Sequence, residues 1–186
     1  MKTIACLCLA LGAVGCSPDL LNNYDIYIAD GFSQPEQNEI LFVMKQWELA
    51  EKEFGLKFNV YYGTSSDPKG TWTIYPKTFA EIHTLPGSDP TVAAITNWDN
   101  YLHDSGSMDL PTDLPPNSGD AARRIMAHEF GHLLGLDHTG PHTIMYPYID
   151  DGLEAHKITC ADQDQYRANR GYHIFFCDTE PPLSLP

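Results

Sequence analysis

Apolar residues recur along the chain with two different periods, and the period of each segment predicts its secondary structure. Between residues 34 and 54 they return every three or four positions, which predicts an amphipathic helix closed by Gly55. Between residues 56 and 62 they alternate with polar residues, which predicts a half-buried strand. The same strand signals lie at 24–28, 71–75, 91–98 and, more briefly, 101–103. We therefore expect a sheet and one long helix in the N-terminal part of the chain.

The C-terminal part is predicted to hold two helices joined by a turn. A Pro-rich loop at 111–119 leads into the first helix, with Asn117 or Ser118 as its N-cap and Asp120 in its first turn. Thr159 begins the second helix, because an acidic residue three positions later completes a capping pattern.

The first of these helices carries the motif HExxHxxGxxH, a pattern of residues that bind and use zinc. His128 and His132 are four residues apart, so they share one helix face and can hold one ion at about 2.0–2.1 Å. Gly135 lets the chain leave the helix, so that His138 can return as a third ligand. Three protein ligands leave one position open, which is typical of catalytic zinc sites, and Glu129 is placed to take a proton from water. A buried helix with incidental histidines is the alternative, which the density of histidines disfavours.

The motif is followed by the run Ile-Met-Tyr-Pro at residues 144–147, and the two together resemble the metzincin metallopeptidases, most closely the matrixins. The resemblance implies that zinc is held by His128, His132 and His138, with Glu129 as general base and Met145 beneath the metal. It implies an α+β fold in which a twisted mixed sheet packs with an N-terminal helix and an active-site helix, followed by the Met-turn and a C-terminal helix. It also implies a zinc-dependent endopeptidase that hydrolyses extracellular or envelope proteins.

Four further residues show how closely the chain follows related patterns. Pro147 stands where astacins and serralysins have a zinc-binding tyrosine, so we expect no such ligand. No H-x-D sequence accompanies His83 and His103, so we interpret them as ordinary histidines rather than ligands of a structural zinc. Tyr148 is a candidate wall of the substrate side-chain pocket, one residue short of the spacing common in matrixins.

The substrate is expected to lie extended along an edge strand within residues 95–103, paired as an added strand. Trp98 and Tyr101 are candidate substrate contacts there, with plain packing as the alternative. Residues 104–109, with Asp113 beyond, are rich in oxygen atoms, and we interpret them as a solvated acidic loop. Calcium binding by this loop is the alternative, although it lacks the ligand register of an EF-hand.

The N-terminus predicts export. Residues 4–14 form an apolar run of signal-peptide length, too short to span a bilayer, and the small residues before Cys16 resemble the lipobox of bacterial lipoproteins. We therefore predict a signal peptide at 1–15, a lipid-anchored linker at 16–23, a catalytic domain at 24–178 and an irregular tail at 179–186. An ordinary secretory signal is the alternative. The protein is thus expected at the bacterial cell envelope or surface, anchored to a membrane by lipid, or secreted.

Cysteine usage agrees with export. Cys6 and Cys8 fall in the predicted signal peptide, and Cys16 is the predicted lipid site. Cys160 and Cys177 remain as a pair, and we predict a disulfide between them that stabilises the fold by about 3 kcal/mol. Two buried free thiols are the alternative.

Composition narrows the class of partner. The net charge is −14, from 25 acidic and 11 basic residues, which argues against nucleic acid and against electrostatic attachment to anionic lipid. The length of 186 residues suits one domain. We expect a monomer that acts on protein or peptide substrates.

Two other functions stay open. The first is a catalytically inactive metzincin fold that binds peptides or a surface partner, and Glu129 argues against it, because such proteins typically lose the base. The second is different chemistry on the same metal, such as an amidase acting on cell-wall peptide, and the Met-turn favours a peptidase. Only residues 17–23 lie between Cys16 and the first strand, so we expect an enzyme that is active without removal of a propeptide.

Overall fold

A five-stranded mixed sheet and four α-helices make up the described part of the chain, which comprises residues 22–64, 71–84, 93–99, 105–113, 119–147 and 157–172 of the computed structural model. In chain order the elements are β1 (Asn23–Ile28), α1 (Gln34–Ala50), β2 (Lys57–Tyr62), β3 (Thr71–Lys77), α2 (Phe79–His83), β4 (Ile95–Trp98), β5 (Gly106–Pro111), α3 (Gly119–Leu133) and α4 (Cys160–Asn169). A 3-10 turn at Lys52–Phe54 follows α1. The arrangement confirms the expected α+β fold class.

The sheet has the strand order β2-β1-β3-β5-β4. The sheet is parallel from β2 through β1 and β3 to β5, and β4 pairs antiparallel with β5 at one edge. Side chains alternate between the two faces: Ile26 and Ile28 of β1 are buried, while Asp25 and Tyr27 belong to the opposite face. The helix α1 packs against β2 and α3, and α3 packs against β4 and β5. The histidine motif on α3 therefore lies next to the antiparallel edge of the sheet.

The helix α1 forms as its apolar period predicts. Its face toward the core carries Ile40, Val43 and Trp47, all buried, and the chain leaves the helical region through Gly55, whose φ is +73°. The Trp47 indole N–H donates to the Ala127 carbonyl at 3.1 Å. This buried hydrogen bond sets α1 against α3 one residue before the zinc motif.

The helix α4 fastens the end of α3 to the core through two buried arginines. Arg167 forms an ion pair with Glu51 at 3.2 Å, and both side chains are almost inaccessible to solvent. Arg170 donates to the Leu134 carbonyl at 3.1 Å and to the Tyr24 hydroxyl at 2.6 Å. Removing one partner from a buried ion pair typically costs about 3–5 kcal/mol, so Arg167 ties α4 firmly to the end of α1, while Arg170 holds the turn that follows α3.

The interpretation of residues 104–109 as a solvated acidic loop was wrong, because Gly106–Pro111 is the strand β5. Met108 and Leu110 are fully buried on the core face, and even Asp109, between them, is buried. Serine and aspartate on the other face hid the alternation that marks a strand. A strand in the sheet is not a calcium loop, so the calcium alternative loses its basis.

Three smaller features differ from the sequence prediction. The strand β4 begins at Ile95 rather than at residue 91, and Pro111 ends β5 rather than opening a loop. The sequence pattern did not indicate α2, although its signal was present: the Thr78 side chain and the Glu81 carboxylate form a capping box. Each difference lies at an element boundary or in a very short element.

Several predictions fall outside the described residues and stay predictions. These concern the signal peptide, Cys16, the proposed N-caps at 117 and 118, the strand at 101–103, Tyr148 and the tail. Cys160 is disulfide-bonded, whereas its predicted partner Cys177 lies outside the described residues, so the pairing itself remains a prediction. Within the described ranges, no helix has both the length and the apolar character needed to cross a membrane.

Candidate metal centre

The helix α3, which carries the histidine motif, ends in a turn, and this turn brings the following chain back beside the helix. Gly135 has a φ of +82°, in the left-handed region that glycine adopts without strain. Its N–H donates to the His132 carbonyl at 2.8 Å, and the N–H of Leu136 donates to the Gly131 carbonyl at 2.9 Å. These bonds close the helix, and the chain that follows carries His138 to the two helical histidines.

The Nε2 atoms of the three predicted ligands converge on one point. His128 and His132 have their Nε2 atoms 3.1 Å apart, and each lies 3.2 Å from Nε2 of His138. Ligand atoms at about 2.0–2.1 Å from a tetrahedral ion lie about 3.3–3.4 Å from one another. The spacing therefore fits one zinc ion, and in the described part of the chain this triad is the one group suited to a metal.

Backbone carbonyls determine which nitrogen of each helical histidine faces the centre. Nδ1 of His128 lies 2.8 Å from the Ile144 carbonyl oxygen, and Nδ1 of His132 lies 2.8 Å from that of Leu136. A carbonyl can only accept, so each Nδ1 carries the proton and each Nε2 presents a lone pair. Lone pairs held this close repel one another unless a cation lies among them. The donor set is thus the one that a zinc ion requires.

Burial keeps the imidazoles neutral. Desolvation lowers the pKa of His128 to about 4, and the neighbouring His132 adds to the effect. Desolvation lowers the pKa of His132 as well. Zinc binds neutral imidazole, so these two ligands need not lose a proton before they bind at neutral pH.

Glu129 lies beside the triad on the same helix, with only 6% of its surface exposed. Its Oε2 accepts a hydrogen bond from the Thr96 hydroxyl at 2.6 Å. Burial raises the pKa of Glu129 to about 7, against the lowering effect of that hydrogen bond. A carboxyl group that titrates near neutral pH can both accept and return a proton, as a general base must.

The predicted Met-turn lies against α3. Met145 is fully buried, and a Cβ atom placed on Gly131 would come closer than 3.0 Å to its sulfur. Glycine at this position of the histidine motif therefore lets the turn approach the helix. The neighbouring Ile144 supplies the carbonyl that orients His128.

Asp162 joins the Met-turn to α4. Its carboxylate accepts from the backbone N–H groups of Ile144 at 3.0 Å and Met145 at 3.2 Å. It also accepts from the backbone N–H of Thr159 at 2.8 Å, which caps α4 as predicted. One buried carboxylate thus fixes both the last helix and the turn that orients His128.

The edge strand β4 is held to α3 by side chains. The Trp98 indole N–H donates to the His132 carbonyl at 2.9 Å, and 40% of this tryptophan remains exposed. Among the described strands, β4 pairs with β5 alone, so its other edge has no strand partner there. It lies within the range 95–103 that was predicted to supply an edge strand for the substrate.

Comparison with known families agrees with this geometry: the matrixin family model matches residues 29–173. The chain belongs to the matrixin family. Among curated proteins, the search found no match to the chain. Membership of the matrixins supports a zinc metallopeptidase, and the histidine triad of this matrixin stands at the positions that the motif predicts.

Two residues of the matrixin site escaped the sequence analysis. Thr96 is a single hydroxyl in a short strand and belongs to no motif, so only the fold reveals its contact with Glu129. Asp162 was visible as a capping residue, but its bonds to the Met-turn depend on tertiary structure. His83 lies exposed on α2 and is not among the histidines that converge, as expected for an ordinary histidine.

Proposed function

We propose that this matrixin is a zinc-dependent endopeptidase that hydrolyses peptide bonds of proteins at or outside the cell envelope. The observation that supports it best is the combination of three converging imidazole nitrogens with a buried carboxyl group, Glu129, beside them on one helix. A binding module needs no such base, and a structural zinc site is closed by four protein ligands rather than three.

The residues of the chain divide the chemistry among them. Zinc, when bound by the three histidines, lowers the pKa of water and polarises the scissile carbonyl. Glu129 accepts the proton of the attacking water and then donates it to the leaving amine nitrogen. The cation would lower the pKa of Glu129 below its value in the metal-free protein, which favours the basic form before attack. Ile144 and Leu136 hold the two helical imidazoles in place through their carbonyls.

The edge strand supports an extended peptide as the substrate. In this proposal the peptide adds to the open edge of β4 through main-chain hydrogen bonds, and its side chains reach flanking pockets. Trp98 is the described side chain best placed to contact it, because it is exposed and bonded to the backbone of a zinc ligand. Tyr148 stays a proposal for the side-chain pocket.

The N-terminal sequence supports a location at the cell envelope. A signal peptide at 1–15 would be removed, and lipid on Cys16 would hold the domain at the membrane surface. Substitution of Cys16 by serine should release the protein into the soluble fraction without loss of peptidase activity. An ordinary secretory signal predicts instead that wild type and variant fractionate alike.

Cleavage of a generic protein tests the activity. Zinc-loaded wild type should cleave casein at internal peptide bonds, a chelator should stop it, and added zinc should restore it. Glu129→Ala should lower cleavage to a small residual rate and keep its zinc, while Glu53→Ala, the same change at an exposed position, should leave cleavage unchanged. An inactive wild type with full zinc would favour the peptide-binding alternative, and release of cell-wall peptide without casein cleavage would favour the amidase.

A further inference from the structure

The hydroxyl of Thr96 makes a short hydrogen bond to the proposed general base. Thr96 lies on β4, and its Oγ1 is 2.6 Å from Glu129 Oε2 and 3.3 Å from the Glu129 carbonyl oxygen. A hydroxyl has one proton, and the shorter, charge-assisted bond to the carboxylate takes it. The contact joins β4 to α3 through two residues that are 33 positions apart in the chain.

A second contact fixes the position of Thr96 relative to the helix. Trp98 is two residues further along β4, on the same face of the strand, and donates to the His132 carbonyl at 2.9 Å. Residues 129 and 132 are separated by about one turn of α3. Two neighbouring side chains of the strand thus meet two neighbouring turns of the helix. The strand therefore cannot slide along the helix without breaking both bonds.

The hydroxyl of Thr96 anchors the carboxylate of Glu129. In the part of the chain that the structure describes, the Thr96 hydroxyl is the one hydrogen-bond partner of the Glu129 side chain. Glutamate has three rotatable side-chain bonds, and a carboxylate without an anchor would sample several rotamers. With Oε2 occupied by the hydroxyl, Oε1 is the oxygen left for proton transfer.

We propose that Thr96 is a positioning residue of the peptidase: its hydroxyl holds Oε2 of Glu129 and so keeps Oε1 available to the attacking water. This inference rests on the proposed peptidase activity. It also places the positioning group on the strand that is proposed to bind the substrate backbone. A residue that holds a catalytic group in place contributes to catalysis by orienting that group rather than by touching the reacting atoms itself.

The test removes the hydroxyl and leaves the shape of the side chain. Thr96→Val keeps the β-branch and the main chain of β4, so substrate binding should change little. We expect kcat for casein-derived peptides to fall on the order of tenfold, with KM within about twofold of wild type. Thr96→Ser restores the hydroxyl and should recover most of the lost kcat. Thr112→Val, which removes a threonine hydroxyl bonded to the Lys77 carbonyl instead of to a carboxylate, serves as the matched control and should leave kcat unchanged.

A double-mutant cycle separates positioning from a structural role. If Thr96 acts through the carboxylate, Thr96→Val should lower the residual rate no further in a Glu129→Ala background. A structural role would instead lower the rate equally in both backgrounds, together with zinc content and melting temperature. Equal losses in both backgrounds, or a Thr96→Val enzyme as fast as wild type, would overturn the proposal.

A crystal structure gives a readout that does not depend on activity. In metal-free wild type and Thr96→Ser, the Glu129 side chain should occupy one rotamer, whereas in Thr96→Val it should be rotated or spread over several. A Glu129 side chain that is unchanged in Thr96→Val would contradict the proposal. If zinc-loaded wild type cleaves no substrate, the proposed function fails first, and the crystallographic comparison still reports whether Thr96 holds the carboxylate.

Discussion

Replacing Gly131 with alanine should force the Met-turn away from the active-site helix. A Cβ atom at this position would come closer than 3.0 Å to the sulfur of Met145 and would lie 3.2 Å from its terminal methyl carbon. Carbon atoms pack best at about 3.5–4.0 Å, so the methionine must move. It has little room, because it is fully buried and Asp162 holds its backbone N–H.

The magnitude follows from two opposing effects. Overpacking a tight core site costs about 1–3 kcal/mol, while alanine returns up to about 1 kcal/mol as a better helix former than glycine. We therefore expect Gly131→Ala to lower the free energy of unfolding by about 1 kcal/mol, which lowers the melting temperature by about 2–4 °C in a domain of this size. Zinc affinity should fall about tenfold or more, because displacement of the turn disturbs the Ile144 carbonyl that orients His128.

Thermal unfolding and a zinc competition titration measure the two effects. Gly140→Ala is the matched control, since a Cβ atom there would meet nothing within 4 Å, and it should change neither value by much. In a Met145→Ala background the clash is gone, so Gly131→Ala should be neutral or stabilising. An equal cost of Gly131→Ala with and without Met145 would refute the packing argument.

Three further predictions concern the frame of the site and its ionisation. Asp162→Ala should lower the free energy of unfolding by about 2–4 kcal/mol and weaken zinc binding, because it leaves the N–H groups of Ile144 and Met145 without their partner. Chemical denaturation and a zinc titration that both match wild type would contradict this. Arg167→Ala should cost up to about 3–5 kcal/mol above pH 7, where it leaves the charged Glu51 buried without its ion-pair partner, and less at lower pH, because burial already raises the pKa of Glu51 to about 7 and the carboxyl can take up a proton. Arg123→Ala, which breaks a half-exposed pair, should cost about 1 kcal/mol or less, and equal losses for the two variants in denaturant melts above pH 7 would contradict this. Because burial lowers the pKa of His128 to about 4, the unfolded chain takes up a proton below about pH 6.5 that the folded chain does not, so His128 should cost the metal-free protein stability as the pH falls from about 6.5 towards 4. The raised pKa of Glu129, about 7, acts in the opposite direction, so the measurement is the difference in melting temperature between His128→Ala and wild type. This difference should shift in favour of the variant as the pH falls, and a difference that does not change with pH would count against the assignment.

Features with a local signal could be predicted from the sequence. The apolar period of α1 predicted the burial of Ile40, Val43, Met44 and Trp47, although not that of Gln46. The spacing of the histidine motif predicted a triad that the fold brings together. Both signals depend on helical geometry, which is the same in every protein. Gly135 was predicted from the turn that must follow the helix if His138 is to return, whereas the role of Met145 was predicted from the resemblance to the metzincins.

Features that depend on tertiary packing could not be predicted. The strand β5 was predicted to be a loop because Ser107 and Asp109, on one of its faces, are polar. Asp109 is nevertheless buried, and its burial depends on neighbours far along the chain. The contact between Thr96 and Glu129 exists only after β4 docks on α3. The second role of Asp162, at the Met-turn, likewise requires α4 to be in place. In each case the sequence contains the residue but does not indicate which distant residue it contacts in the fold.

If the three histidines form one catalytic zinc centre, activity must follow the number of zinc equivalents added to the metal-free protein, and this titration is the most direct measurement. Casein cleavage should rise in proportion to zinc and reach a plateau at one ion per chain. His138→Ala, which removes the ligand outside the helix, should bind zinc much more weakly and should not reach that plateau. Cleavage that is complete without zinc, or a His138→Ala protein as active as wild type, would contradict the account.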